Sequence, residues 1–225
     1  MKKYKAVLFD FDGTLLDTNQ FIIESWRTVS EAAFGEMRFD VDYLASYFGT
    51  PLDHAMEKTL EDYGIDCFTV EEACRIYRGY QRANPERFGI PFEGIPELLP
   101  ALKEKGIKLG IVTSRLRQTT IDALARHGLD RYFDVFIAEE DTDIHKPLPE
   151  PALLCCERLG VAPEDSLMVG DSKWDIACGN NAGCGSALVS WSFAQKAEGL
   201  EGVEKPDYVI EKAEDILGLV QADMI

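Results

Sequence analysis

Short apolar runs rich in β-branched residues recur along the second half of the chain, at 107–113 (IKLGIVT), 133–138 (FDVFIA), 166–170 (SLMVG), 186–190 (SALVS) and 207–210 (DYVI). Each is bounded by Gly, Asp, Ser or Pro. Between them the spacing turns helical. "RQTTIDALARHG" places Ile121, Leu124 and Ala125 on one face and stops at Gly128, and "PEPALLCCERLG" opens on Pro and closes on Gly160, the asymmetry expected of a helix. Strands alternating with helices predict a parallel sheet covered on both faces. The apolar run at 4–10 supplies one more strand.

Residues 18 to about 85 carry a different rhythm. "TNQFIIESWRTVSEAAFG" sets Phe21, Ile22, Trp26, Val29 and Ala33 on one helical side, and "PLDHAMEKTLEDYG" and "TVEEACRIYRGYQRA" read as two more helices. Thr69 followed by Glu72 is a capping-box signature. No strand pattern interrupts them. The fold class is therefore α/β, a parallel sheet with helices on both faces and an inserted all-helical segment. The expected boundaries are core 1–16, helical insert 17–86 and core 87–225.

A hydrophobic fraction of 46% over 225 residues is ample for one core with an insert. Forty acidic residues against 23 basic ones give a formal net charge of −17. That field repels nucleic acid and anionic lipid and leaves a small anion, guided by local cations, as the expected partner. The apolar run after Met1-Lys2-Lys3-Tyr4-Lys5 is only about five residues, short of a signal peptide. No run reaches the roughly 18 to 20 residues of a membrane span. A cytoplasmic protein is expected, with a monomer as the simplest state. Cys67, Cys74, Cys155, Cys156, Cys178 and Cys184 include no C-x-x-C pair, and the three histidines lie away from them, so reduced thiols are expected and not a zinc site.

Open parallel sheets bind ligands at the carboxyl ends of their strands. The residues that follow the apolar runs are Asp10, Asp12, Gly13 and Thr14; Thr113 and Ser114; Lys146; and Gly170, Asp171, Ser172 and Asp175. Carboxylates, hydroxyls and a lysine thus converge on one predicted site. This set, in this order, resembles the haloacid dehalogenase superfamily of phosphotransferases. Its four motifs are matched by Asp10-Phe11-Asp12-Gly13-Thr14, Thr113, Lys146 and Gly170-Asp171-Ser172-Lys173-Trp174-Asp175, and its helical cap by the insert. The resemblance implies a Rossmann-like core and covers essentially the whole chain.

Phosphoryl transfer to a carboxylate needs positive charge at the phosphoryl group. A divalent ion with hard oxygen ligands supplies it, and Mg²⁺ suits a site of few carboxylates. The expected metal ligands are Asp10, Asp171 and the Asp12 backbone carbonyl. Lys146 offsets Asp10 and the phosphate, and Thr113 and Ser114 hold phosphoryl oxygens. Asp10 is the expected nucleophile and Asp12 the acid, then base. Asp175 is expected to bond Lys146 or a metal-bound water. Thr50 and Arg117 are further candidates for contact with substrate.

Rival readings fit less well. An EF-hand loop starting at Asp10 would need an acid or amide at Thr14, glycine at Leu15 and glutamate at Phe21. A receiver domain lacks the insert. A dehalogenase lacks the second aspartate, and a phosphosugar mutase of this superfamily carries a histidine where Ile22 stands. His145 and the pair Asp53-His54 are read as structural, and Trp174 as either packing or lining the site mouth. Arg115 and Arg117 are read as able to steer anions, although solvated arginines after a strand are common. The segments "LLDTNQFIIESW", "GIVTSRLRQTT", "LMVGDSKWDI" and "ALVSWSF" look like the inorganic pyrophosphatase branch, close to the phosphoglycolate phosphatases. The expected substrate is pyrophosphate, with phosphoglycolate as the alternative.

Overall fold

The computed structural model describes residues 3–192 and 196–221. Residues 1–2, 193–195 and 222–225 of the expected core lie outside the described residues. Six parallel strands form the main sheet: β1 (Ala6–Phe9), β4 (Lys108–Val112), β5 (Val135–Ile137), β6 (Ser166–Gly170), β7 (Gly185–Val189) and β8 (Tyr208–Ile210), in the order β5-β4-β1-β6-β7-β8. β1 is central, paired with β4 on one side and β6 on the other. The chain builds outward from β1 through β4 to β5, then returns to lay β6 against the other flank. The carboxyl ends of β1, β4 and β6 therefore meet where the winding reverses, the crevice in which open α/β sheets bind ligands.

Side chains alternate across the sheet as the pleat requires. Val7, Phe9, Leu109, Ile111, Leu167 and Val169 face α5 (Ile95–Glu104) and α6 (Arg117–Arg126). Ala6, Leu8, Val112 and Met168 face α7 (Glu150–Leu159) and α8 (Lys173–Ala182). Both faces are covered, so the strands carry continuous apolar runs.

The insert contains α1 (Asn19–Phe34), α2 (Val41–Ala45), α3 (Leu52–Asp62) and α4 (Val70–Ala83). These helices have their own apolar cluster, including Trp26, Val29, Phe39, Leu44, Met56 and Tyr77. The α4 capping box forms between Thr69 and Glu72, as its spacing predicts. Both chain crossings to the core lie side by side. β2 (Leu16–Asp17) pairs antiparallel with β3 (Ile90–Pro91), with Leu16 opposite Pro91 and Asp17 opposite Ile90. The sequence pattern does not predict this ribbon, because two residues cannot display an alternation. Phe21 of α1 packs against Phe88 with ring centres 5.1 Å apart, and Phe88 stands 6.0 Å from Phe11, so the base of the insert is anchored beside the Asp10 loop.

Candidate active site

Asp10 immediately follows β1, and its amide donates to the Val169 carbonyl at 2.9 Å, tying the loop to β6. Gly13 then turns the chain with φ of 76°. A Cβ there would lie 2.0 Å from Asp171 Oδ2, so only glycine lets this loop pass against the carboxylate. On β6, a Cβ at Gly170 would lie 2.2 Å from the Asp175 Cβ, and its absence lets the start of α8 close on the strand end. Ser172 caps α8. Asp175 Oδ2 accepts from the Ser172 amide at 3.1 Å and from its hydroxyl at 2.5 Å, a reciprocal capping box. The cap fixes the Asp175 side chain and leaves Oδ1 for another partner.

That partner is Lys146. Its ammonium donates to Asp10 Oδ1 at 2.7 Å, to Asp175 Oδ1 at 2.6 Å and to the Val112 carbonyl at 3.3 Å. All three side chains are buried. Burial alone would lower the lysine, but Asp10 and Asp175 outweigh it and hold its pKa above the ordinary value. Asp10, Asp171 and Asp175 each offer an oxygen within 4.8 Å of the others. Burial and the Asp175 charge push Asp10 up to about 7 against the pull of Lys146. Burial, then Asp10 and Asp175, also raise Asp171 well above the usual carboxylate range. One ammonium among three buried carboxylates leaves a deficit of positive charge. A metal ion fits that deficit, and the donors are all hard oxygens. Asp171 Oδ2 also accepts from the Ser192 hydroxyl at 2.6 Å. Sequence reasoning missed Ser192, which has no motif and follows the next strand.

Beside the cluster lies a cavity of about 310 Å³. Asp10, Asp12, Thr113, Ser114 and Arg115 line it from the strand ends, and Ile22, Trp26, Leu44 and Leu52 line it from the helical insert. Thr113 is buried at the end of β4 and accepts from the Arg115 amide at 3.2 Å. The Ser114 hydroxyl donates to the Gly49 carbonyl at 2.7 Å, joining a strand end to the insert. Thr50 lines the cavity, and its hydroxyl donates to the Tyr47 carbonyl.

The two arginines after Ser114 separate. Arg117, taken from the sequence as a candidate for substrate contact, starts α6 and pairs with Asp141; it does not line the cavity. Arg115, which the sequence leaves as a possible solvated group, turns inward. Its Nε and Nη2 each donate to Asp12 at 2.9 Å, and its side chain is only 10% exposed. Trp174 is absent from the cavity wall and packs, with the Lys173 ammonium 4.8 Å over its ring. His54 sits in the first turn of α3, where its amide donates to Asp53.

Residues 7–189 match the family model described as haloacid dehalogenase-like hydrolase. The chain belongs to that family. It is 37% identical over 218 residues to pyrophosphatase PpaX of Bacillus mycoides, covering 97% of each chain. It is 36% identical over 215 residues to pyrophosphatase PpaX of Halalkalibacterium halodurans, covering 96% of each. Among solved structures, a β-phosphoglucomutase from Clostridium difficile superposes with a TM-score of 0.78 at 23% identity, covering 95% of this chain and 93% of that one. That last likeness is one of fold. The family is one of hydrolases, and this chain is an enzyme with the parallel-sheet core of that family.

Proposed function

We propose that this enzyme is a Mg²⁺-dependent phosphohydrolase that splits inorganic pyrophosphate through an aspartyl phosphate on Asp10. The observation that carries the chemistry is the buried Lys146 bridge between Asp10 and Asp175, beside a cavity that Asp10, Asp12 and Thr113 line. The relatives named pyrophosphatase, similar over nearly the whole chain, support the substrate. Mg²⁺, held by Asp10, Asp171 and the Asp12 carbonyl, would neutralise charge on the phosphoryl oxygens.

An Asp10 carboxylate oxygen attacks phosphorus, and the bond from phosphorus to the leaving oxygen breaks. Asp12 gives its proton to that oxygen. Asp12 then takes a proton from water, whose oxygen attacks the aspartyl phosphate and restores the Asp10 carboxylate. One water is consumed and two phosphates leave. Thr113 and Ser114 hold the transferred group, and Lys146 keeps Asp10 ionised and oriented. Asp175 positions Lys146. Thr50 contributes to the substrate's surroundings from the insert. Residues 17–86 act as a cap that moves on the linkers 15–18 and 85–90, where the β2–β3 ribbon lies. The setting is the cytoplasm, which fits six free cysteines.

The apolar part of the cavity favours a second reading, a small phosphomonoester such as phosphoglycolate with an organic leaving group. The deciding test is phosphate release from pyrophosphate, phosphoglycolate, sugar phosphates and nucleotides, with Mg²⁺ and with a chelator. Magnesium-dependent release with pyrophosphate as the best substrate is expected. A preference for a phosphomonoester would replace the substrate and keep the mechanism. Release that ignores the chelator would end the metal-dependent reading.

The metal assignment also predicts a pH-dependent stabilisation. Asp10 and Asp171 have folded pKa values raised above the roughly 3.9 of an unfolded aspartate. Without metal, their contribution to stability is full below about pH 4 and is lost as pH rises through their folded values. Mg²⁺ binds the ionised form and must displace protons at lower pH. Its addition should therefore raise the melting temperature more at pH 8 than at pH 5. Equal shifts at both pH values would count against these ligands.

A further inference from the structure

Arg115 is a largely enclosed cation in the cavity that the steps above do not use. Both Asp12 oxygens accept from its fork, at 2.9 Å each. The guanidinium is fixed in place. Its carbon lies 4.6 Å from the Phe88 ring centre and 5.8 Å from that of Phe11, and Nη1 points to Gln81 Oε1 of α4 at 3.3 Å. A planar fork on a carboxylate is equally suited to two oxygens of a phosphate, which a lysine ammonium is not.

We propose that Arg115 selects substrates whose leaving group is itself a phosphate, by exchanging Asp12 for that phosphate as its bidentate partner. The inference rests on the pyrophosphate reading above. The leaving oxygen must come within hydrogen-bond reach of Asp12, which places it within reach of the fork now closed on Asp12. A phosphate leaving group brings further anionic oxygens to that point. An alcohol brings none. The exchange keeps the largely enclosed guanidinium paired throughout, and it frees the Asp12 oxygens to hydrogen-bond the bridging oxygen. Three other arginines, Arg78, Arg82 and Arg126, line the cavity. Arg78 faces Glu139 at 3.7 Å, Arg126 donates to the Pro85 carbonyl, and the fork on Asp12 is that of Arg115.

If Arg115 merely steadied Asp12, its loss would damage every substrate alike. Selection requires unequal loss. The test is the ratio of kcat/KM for pyrophosphate to kcat/KM for phenyl phosphate, in wild type, Arg115→Ala and Arg115→Lys, with folding checked by thermal melting. The ratio should fall about 10- to 150-fold in Arg115→Ala, the scale of a lost hydrogen bond to a charged group. Arg115→Lys, which keeps charge without the fork, should fall between. Binding gives a second readout. By calorimetry with Mg²⁺, imidodiphosphate should weaken by a larger factor than inorganic phosphate in Arg115→Ala. An unchanged ratio with equal weakening of both ligands would overturn the proposal while leaving the pyrophosphate reading intact. A wild type that does not cleave pyrophosphate would overturn both. If Arg115→Ala does not fold, the same comparison in Arg115→Lys decides, and an unchanged ratio there overturns the proposal.

Discussion

Asp10→Asn should lower turnover by about 10⁵-fold or more, the scale of removing a nucleophile, while the protein stays folded. The amide keeps the shape of the carboxylate and one acceptor for the Lys146 ammonium, which lies 2.7 Å from Asp10 Oδ1. It cannot form the aspartyl phosphate. It also removes one of three crowded buried carboxylates, whose charge adds to burial in raising the Asp171 pKa. In chelator, then, the variant should melt at or above the wild-type temperature. Loss of activity without loss of stability separates a chemical role from a structural one. Retention of a tenth or more of the wild-type rate would remove Asp10 as nucleophile.

Lys146→Met should have the opposite balance, a large loss of stability together with lost activity. The lysine is the cation that bridges Asp10 and Asp175, and its side chain is 2% exposed. Removing one partner of a buried ion pair costs about 3–5 kcal/mol, because the charges left behind are uncompensated. At about 2–4 °C per kcal/mol for a protein of this size, the melting temperature should fall by about 6–20 °C in chelator at pH 7.5. Lower pH should restore part of the loss, since Asp10 and Asp171 take up protons more readily than ordinary aspartates. Turnover should drop by about 10²- to 10³-fold or more, as for loss of a preorganised charge at the reacting group. Melting within about 2 °C of wild type, roughly 1 kcal/mol at this size, would show that the ammonium does not neutralise the cluster.

The sheet was legible in the sequence because each strand is an apolar run ended by a turn or polar residue. SLMVG is predicted and found at Ser166–Gly170, and IKLGIVT contains the observed Lys108–Val112. Asp10, Thr113, Lys146 and Asp171 could be nominated because chemistry at strand ends is visible as polar residues breaking apolar runs. What pattern could not convey was direction. Arg115 and Arg117 stand two apart in one polar stretch, yet Arg115 turns to Asp12 and Arg117 to Asp141. A count of charges holds part of the signal: Asp10, Asp12, Asp171 and Asp175 outnumber Lys146 at the strand ends, which calls for further positive charge but does not say which of Arg115 and Arg117 turns inward. Ser192 escaped because a serine becomes specific only through where β7 delivers it, beside Asp171. The β2–β3 ribbon escaped because its strands are shorter than any readable period.

The central claim is the covalent intermediate on Asp10, and the most direct measurement is to trap it. The protein is mixed with pyrophosphate and Mg²⁺, quenched in acid within the first turnover and digested, and its peptides are weighed by mass spectrometry. Asp12→Asn serves beside the wild type, because a phosphate leaving group depends little on protonation, so loss of Asp12 slows hydrolysis of the intermediate, by about 10²- to 10⁴-fold, more than it slows formation. The account predicts a phosphoryl adduct on the peptide that contains Asp10, strongest in Asp12→Asn and absent in Asp10→Asn. A wild type that turns over pyrophosphate with no adduct at any quench time, and none in Asp12→Asn, would mean that water attacks phosphorus directly and would contradict the account.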